Sequence, residues 1–144
     1  MSRVLIIGYG NPLRGDDAFG WQAATRLLDL VDEKIVEVLV VQQLTPELME
    51  PVSRAGRVVF IDAAAAGDPG VLHERRVAAD PEAARFTHHS TPGGLLAGAA
   101  ALFGRAPEAV LYSVAGQDFA FGERLTPAVE QALAEVVSRV LATL

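Results

Sequence analysis

Short apolar runs rich in β-branched residues alternate along this chain with longer stretches whose apolar positions recur every three or four residues. Residues 4–7 form the first run, the pattern of a strand buried on both faces. From Ala18 the period changes. Phe19, Ala23, Leu27 and Leu30, with Ala24, Leu28 and Val31 beside them, predict an amphipathic helix ending near Asp32. Residues 35–41 predict a second strand. Thr45-Pro46-Glu47 then reads as an N-cap, a proline at the first helical position and an acidic first turn, opening a helix to about Ala55. Residues 58–61 predict a third strand that ends on Asp62. The following connection, to Pro69, is too short for a crossover helix, so residues 70–77 are expected to run antiparallel as a fourth strand. Residues 80–86 read as irregular or briefly helical.

Thr91-Pro92 repeats the helix start and leads to Leu95, Leu96, Ala99, Leu102 and Phe103, with Gly104 as a C-cap. Residues 109–114 predict a fifth strand, and residues 116–124 a loop carrying two aromatic candidates for exposure, Phe119 and Phe121. Thr126-Pro127 opens a last helix, whose apolar face is Val129, Leu133, Val136, Val137, Val140 and Leu144. Strands alternating with helices, and strands apolar throughout, predict a three-layer α/β/α domain. Its sheet should be mostly parallel, with one antiparallel strand.

Composition narrows the function classes. A chain of 144 residues, 51% of them hydrophobic, is expected to fold as a single domain over residues 1–144 with a substantial core. Eighteen acidic residues against 12 basic ones, with no Lys/Arg block, argue against a nucleic-acid surface. The absence of cysteine excludes disulfides, thiolate metal sites and a cysteine nucleophile. The short apolar run after Arg3 falls well below a signal peptide's apolar region, and no run approaches the roughly 18 apolar residues of a membrane span. The expectation is a soluble, cytoplasmic protein without a membrane partner.

In an open α/β sheet, ligands bind beyond the carboxyl ends of strands where successive connections diverge. Asp16-Asp17 follows the first strand and Asp62 the third. If the second strand lies outside the first, strands one and three are neighbours and their carboxylates share a crevice. The bland role for Asp16 is a helix N-cap; Asp17, unable to share it, is the better functional candidate. An Asp directly after four buried apolar residues is costly unless partnered, so Asp62 is a second candidate. A third feature is the pair His88-His89 just before the Thr91-Pro92 helix start. Two carboxylates and an imidazole suit a divalent metal of the zinc or nickel type, with positions left open for water or substrate. His73, alternating with apolar neighbours in the fourth strand, reads as solvent-facing or structural.

Other chemistries fit less well. Gly8-x-Gly10 opens like a dinucleotide-binding turn, but Leu13 stands where the third glycine belongs, and Val40-Val41-Gln42-Gln43 offers no acid for a ribose. There is no P-loop and no Gly-x-Ser-x-Gly, and nothing forms the symmetric pair of an aspartic protease. A nucleotide-binding flavodoxin-like domain is therefore the weakest alternative.

Gly8-x-Gly10-Asn11-Pro12-Leu13-x-x-Asp16-Asp17-x-x-Gly20 resembles the opening signature of the nickel–iron hydrogenase maturation endopeptidases. Ile61-Asp62-Ala63 resembles their second motif, and His88, seven residues before Leu95-Leu96, their histidine. Leu125-Thr126-Pro127-x-Val129-Glu130 resembles the start of their last helix. The resemblance spans essentially the whole chain. It implies a phosphorylase/hydrolase-like three-layer α/β/α sandwich whose mixed five-stranded sheet has the order 2-1-3-5-4, with strand four antiparallel. It also implies an endopeptidase that removes the C-terminal extension of the hydrogenase large-subunit precursor after nickel insertion. The implied ligands are Asp17, Asp62 and His88, with His89 one residue away as an alternative and Asp16 as a further catalytic candidate. The implied metal is the nickel carried by the precursor, for which zinc or another divalent ion can substitute. The family's first ligand is often Glu; Asp17 is one methylene shorter. The alternative is a non-catalytic metal- or precursor-binding maturation module of the same fold.

Overall fold

A computed structural model of the chain describes residues 3–83 and 90–144. Its frame is one five-stranded sheet built from β1 (Val4–Tyr9), β2 (Val36–Val41), β3 (Arg57–Ala64), β4 (Leu72–Arg76) and β5 (Glu108–Ala115), in the order β2-β1-β3-β5-β4. The pairs β1–β2, β1–β3 and β3–β5 are parallel, and β4 runs antiparallel to β5 from Leu72↔Val114 to Arg76↔Val110. The order is the one implied by the family resemblance, and the antiparallel β4 is the one expected from the short connection after β3.

Period-two alternation sorts the strand side chains between two helical layers. Ile6, Val59, Ile61, Tyr112 and Val114 face α1 (Phe19–Leu28) and α4 (Pro127–Ala142), packing on Ala23, Leu27, Leu133, Val136 and Val140. Leu5, Ile7, Val58, Phe60 and Leu111 face α2 (Met49–Arg54) and α3 (Pro92–Phe103), packing on Val52, Leu95, Leu96 and Ala99. Leu5, Ile6, Ile7, Phe60, Ile61 and Leu133 are all essentially inaccessible, and each such side chain contributes about 1.5–3 kcal/mol relative to exposure. No helix among the described residues is long and apolar enough to cross a membrane.

Several boundaries differ from the sequence reading. The first helix stops at Leu28 rather than near Asp32, and Leu30 and Val31 fold back as turns onto the Leu27 carbonyl. The Thr45 start yields a 3-10 turn, Pro46–Leu48, before α2 itself. The third strand does not end on Asp62 but runs to Ala64. It keeps β5 as a partner to Ala64↔Ala115, whereas its pairing with β1 stops at Gly8↔Ile61. This unequal pairing shapes the site. Beyond Ile61, β3 has a strand neighbour on one side only, and Asp62 stands just past its last pair with β1.

A candidate metal centre at the carboxyl ends of β1 and β3

The chain leaves β1 through a turn that only glycine can make. Gly10 has φ 149°, and a Cβ there would collide with the Asp17 carbonyl oxygen. Gly20, in the first turn of α1, lies against the Ile61 and Tyr9 carbonyl oxygens, leaving no room for a side chain. The turn and the helix start are thereby pressed onto the ends of β1 and β3. Asn11 organises what lies between: its Oδ1 accepts from the Leu13 N–H at 2.9 Å and its carbonyl from the Arg14 N–H at 3.2 Å. A 3-10 turn, Gly15–Ala18, carries both aspartates.

The two adjacent carboxylates have separate fates. Asp16 is fully buried. Its Oδ1 accepts from the Thr126 N–H at 2.7 Å, and its Oδ2 from the N–H groups of Gln117 at 2.7 Å and Asp118 at 3.0 Å and from the Thr126 hydroxyl at 2.8 Å. Burial alone would raise its pKa, but these donors together hold it below the ordinary 3.8. The expectation of a helix N-cap is therefore corrected: no side chain caps this turn or α1. The carboxylate instead ties the first loop to the loop before α4, over a sequence separation of 110 residues. Thr126 occupies the N-cap position of α4, yet its hydroxyl donates to Asp16 instead of capping the helix. Both Asp16 oxygens are engaged, which leaves it poorly placed to act as a base.

Asp17 is half-buried, and its Oδ2 accepts the Asn11 N–H at 2.7 Å. Asp62 extends from β3 on the face of α2 and α3, and its Oδ2 accepts the Tyr9 hydroxyl at 2.6 Å. Its Oδ1 is buried without a hydrogen-bond partner among the described residues. Burial chiefly raises the Asp62 pKa above 3.8, and the Asp17 charge acts in the same sense. The hydroxyls of Tyr9 and Ser113 and the Arg75 guanidinium pull the other way and do not prevail. Tyr9 is pushed far above the usual phenol range, first by burial and then by the Asp62 charge, so it stays protonated as the donor.

The structure thus places Asp17 close enough for its charge to act on Asp62, with Tyr9, Gly10 and Asn11 running between the two. His88 and His89 lie outside the described residues; the N–H of Ser90 donates to the Leu44 carbonyl just past β2. Among the described residues no three His, Cys, Asp or Glu side chains are grouped to hold a metal ion. The two carboxylates fit a divalent cation in one definite respect. An orphaned, buried carboxylate oxygen beside a second carboxylate is the unmet requirement that a cation satisfies.

Sequence reasoning did not find Tyr9, Ser113 or Arg75. Tyr9 shares the pleat face of Leu5 and Ile7, and Ser113 sits directly across from Asp62 in the β3–β5 register, but only strand order makes either a neighbour of Asp62. His73 is exposed on the edge strand. Of the two loop aromatics, Phe119 packs over Gly116 and Phe121 is 81% exposed. A cavity of about 510 Å³ lies at the opposite end of the sheet. Its arginines are already committed: Arg105 to the Ser53 and Ala55 carbonyls, Arg54 to Glu50 and Arg3 to the Glu33 carbonyl. It offers no comparable unmet group.

The 2-1-3-5-4 sheet and its flanking helices are shared with solved structures named as hydrogenase maturation endopeptidases. The chain is similar to the hydrogenase-maturating endopeptidase HybD from E. coli, with 26% identity, a TM-score of 0.78 and coverage of 98% of this chain and 91% of that one. It is likewise similar to a hydrogenase 2 maturation peptidase from a Thaumarchaeota archaeon, with 27% identity, a TM-score of 0.75 and coverage of 98% and 97%. The [NiFe] hydrogenase maturation protease HycI from Thermococcus kodakarensis shares the fold, with 23% identity, a TM-score of 0.78 and coverage of 96% and 90%. No protein-family model matches the sequence, and no curated protein matches it. The family resemblance drawn from the sequence thus extends through the whole fold.

Proposed function

We propose that this chain is an endopeptidase that removes the C-terminal extension of a nickel–iron hydrogenase large-subunit precursor after nickel insertion, acting in the cytoplasm. The observation that carries the reading is the buried, unpartnered Oδ1 of Asp62 beside Asp17 at the carboxyl end of the sheet. Relatives of the same fold named as hydrogenase maturation endopeptidases support it. The nickel belongs to the substrate. Asp17, Asp62 and His88 are the ligands that grip it, and His89 is the alternative to His88. A bound cation displaces the proton that Asp62 otherwise retains to a higher pH than an ordinary carboxyl, which links recognition of the loaded precursor to ionisation of the site. The grip anchors the precursor's metal-binding segment and leads the scissile peptide to the crevice, where a water attacks the carbonyl. Zinc or another divalent ion in place of nickel tests how far the site senses charge rather than metal identity.

The test is purified protein incubated with nickel-loaded precursor, with shortening of the precursor followed by mass spectrometry. Processing by Asp17→Ala, Asp62→Ala and His88→Ala is expected to fall by at least about 100-fold. Normal cleavage by all three would sink the reading. One observation favours the binding-module alternative: around Asp17 and Asp62 the described side chains supply ligands and no nucleophile–base pair. A module of that kind would bind the loaded precursor at a fixed stoichiometry and leave its length unchanged.

A further inference from the structure

We propose that Tyr9 is a positioning residue for Asp62: its hydroxyl holds Oδ2 in place and so leaves Oδ1 as the single carboxylate oxygen available to a divalent cation. The inference rests on the reading of Asp62 as a ligand. Tyr9 is the last residue of β1, one position beyond the final β1–β3 pair Gly8↔Ile61, and Asp62 is one position beyond on β3. Both lie on the face that carries Leu5, Ile7, Val58 and Phe60. The side chains meet across the gap where the ladder has ended, and their contact replaces a backbone pairing. At 2.6 Å the O–H···O bond is in the short range of charge-assisted bonds, and a carboxylate can only accept in it.

The hydroxyl is not needed for packing. The Tyr9 ring is part-buried against the apolar cluster beneath α2 and α3, a place a phenylalanine ring fills equally well without burying a polar atom. What the hydroxyl adds is a 2.6 Å bond that fixes the orientation of a carboxylate whose other oxygen, Oδ1, has no hydrogen-bond partner among the described residues. A carboxylate free to rotate would lose entropy on binding a cation and could present either oxygen. One tethered through Oδ2 is already ordered, with Oδ1 unoccupied. Outer-shell partners of metal ligands act in this way, and their loss typically weakens metal affinity by about 10–100-fold.

The deciding experiment compares Tyr9→Phe with the parent protein in three measurements: thermal melting, a crystal structure of the metal-free protein, and calorimetric titration with Ni²⁺. The expected result is a folded variant in which the Asp62 carboxylate has left its original rotamer and Ni²⁺ binds about 10–100-fold more weakly. An unchanged Asp62 rotamer, or Ni²⁺ affinity equal to the parent's, overturns the proposal. Tyr9→Leu takes the place of Tyr9→Phe if the latter does not fold. Asp62→Ala separates this inference from the functional reading. If the parent takes up no Ni²⁺ and Asp62→Ala processes precursor normally, the functional reading fails. The rotamer in the metal-free variant then decides on Tyr9 alone, movement upholding the positioning role and no movement overturning it.

Discussion

Asp16 and Asp62 are both aspartates taken out of water at the same end of one sheet, and they have opposite electrostatics. Asp16 gathers four donors, three of them backbone N–H groups, and its pKa is lowered despite burial. Asp62 accepts the Tyr9 hydroxyl on Oδ2 and leaves Oδ1 without a partner among the described residues, and its pKa is raised because burial prevails. Solvent exposure does not separate them, since Asp16 has no accessible surface and still keeps a lowered pKa. What separates them is whether the fold answers the charge. A buried carboxylate whose lone pairs are met is a structural tie. One left partly unmet costs stability and persists where a ligand completes it.

The sharpest way to break this contrast is Asp16→Ala, which strands three backbone N–H groups and the Thr126 hydroxyl. Denaturant unfolding should show a loss of about 4 kcal/mol; a loss below about 1 kcal/mol would remove Asp16 from the structural class. Its folded pKa lies below the ordinary 3.8. Its stabilisation is therefore complete above the unfolded carboxylate pKa and is lost as pH falls through the lowered folded value. Asp16→Ala should lack that portion of the acid-induced loss. Thr126→Val removes one donor and keeps the Thr126 N–H, so its expected cost is smaller, about 1.5 kcal/mol.

Asp62→Asn should act in the other direction. With its folded pKa raised, Asp62 contributes favourably below the unfolded carboxylate pKa, and that contribution is lost as pH rises through the raised value. At pH 7 the metal-free variant should therefore gain about 1 kcal/mol over the parent while losing precursor processing. The gain should shrink toward zero in acid, where the parent's Asp62 is itself protonated. A variant less stable than the parent at pH 7 would place Asp62 beside Asp16 as a structural residue.

Much of this was legible along the chain. β-branched runs against three- and four-residue spacings located all five strands and the four principal helices, and the short connection after β3 foretold the antiparallel strand. Thr91 caps as its Thr-Pro context predicts, accepting the Gly94 N–H at 3.0 Å, and Gly104 closes α3 with φ 76°. Local rules failed where a side chain's partner lies far off in sequence. Asp16 has the local context of a cap, but its donors sit about 100 residues away. Thr126 occupies a cap position and spends its hydroxyl on that same carboxylate.

By itself the sequence determined the layered α/β class, the positions of its elements and the acidic residues near the carboxyl ends of two of its strands. These follow from side-chain periodicity and backbone preference, which act over a few residues. The tertiary structure decided which carboxylate is answered and which is not. That depends on strand order, on β3 running on past its last pair with β1, and on the meeting of the first loop with the loop before α4. Hydrogen bonds and desolvation act through space, over a few ångströms, whatever the distance along the chain. For that reason the adjacent Asp16 and Asp17 have different hydrogen-bond partners, while Tyr9 and Asp62, 53 positions apart, share one hydrogen bond.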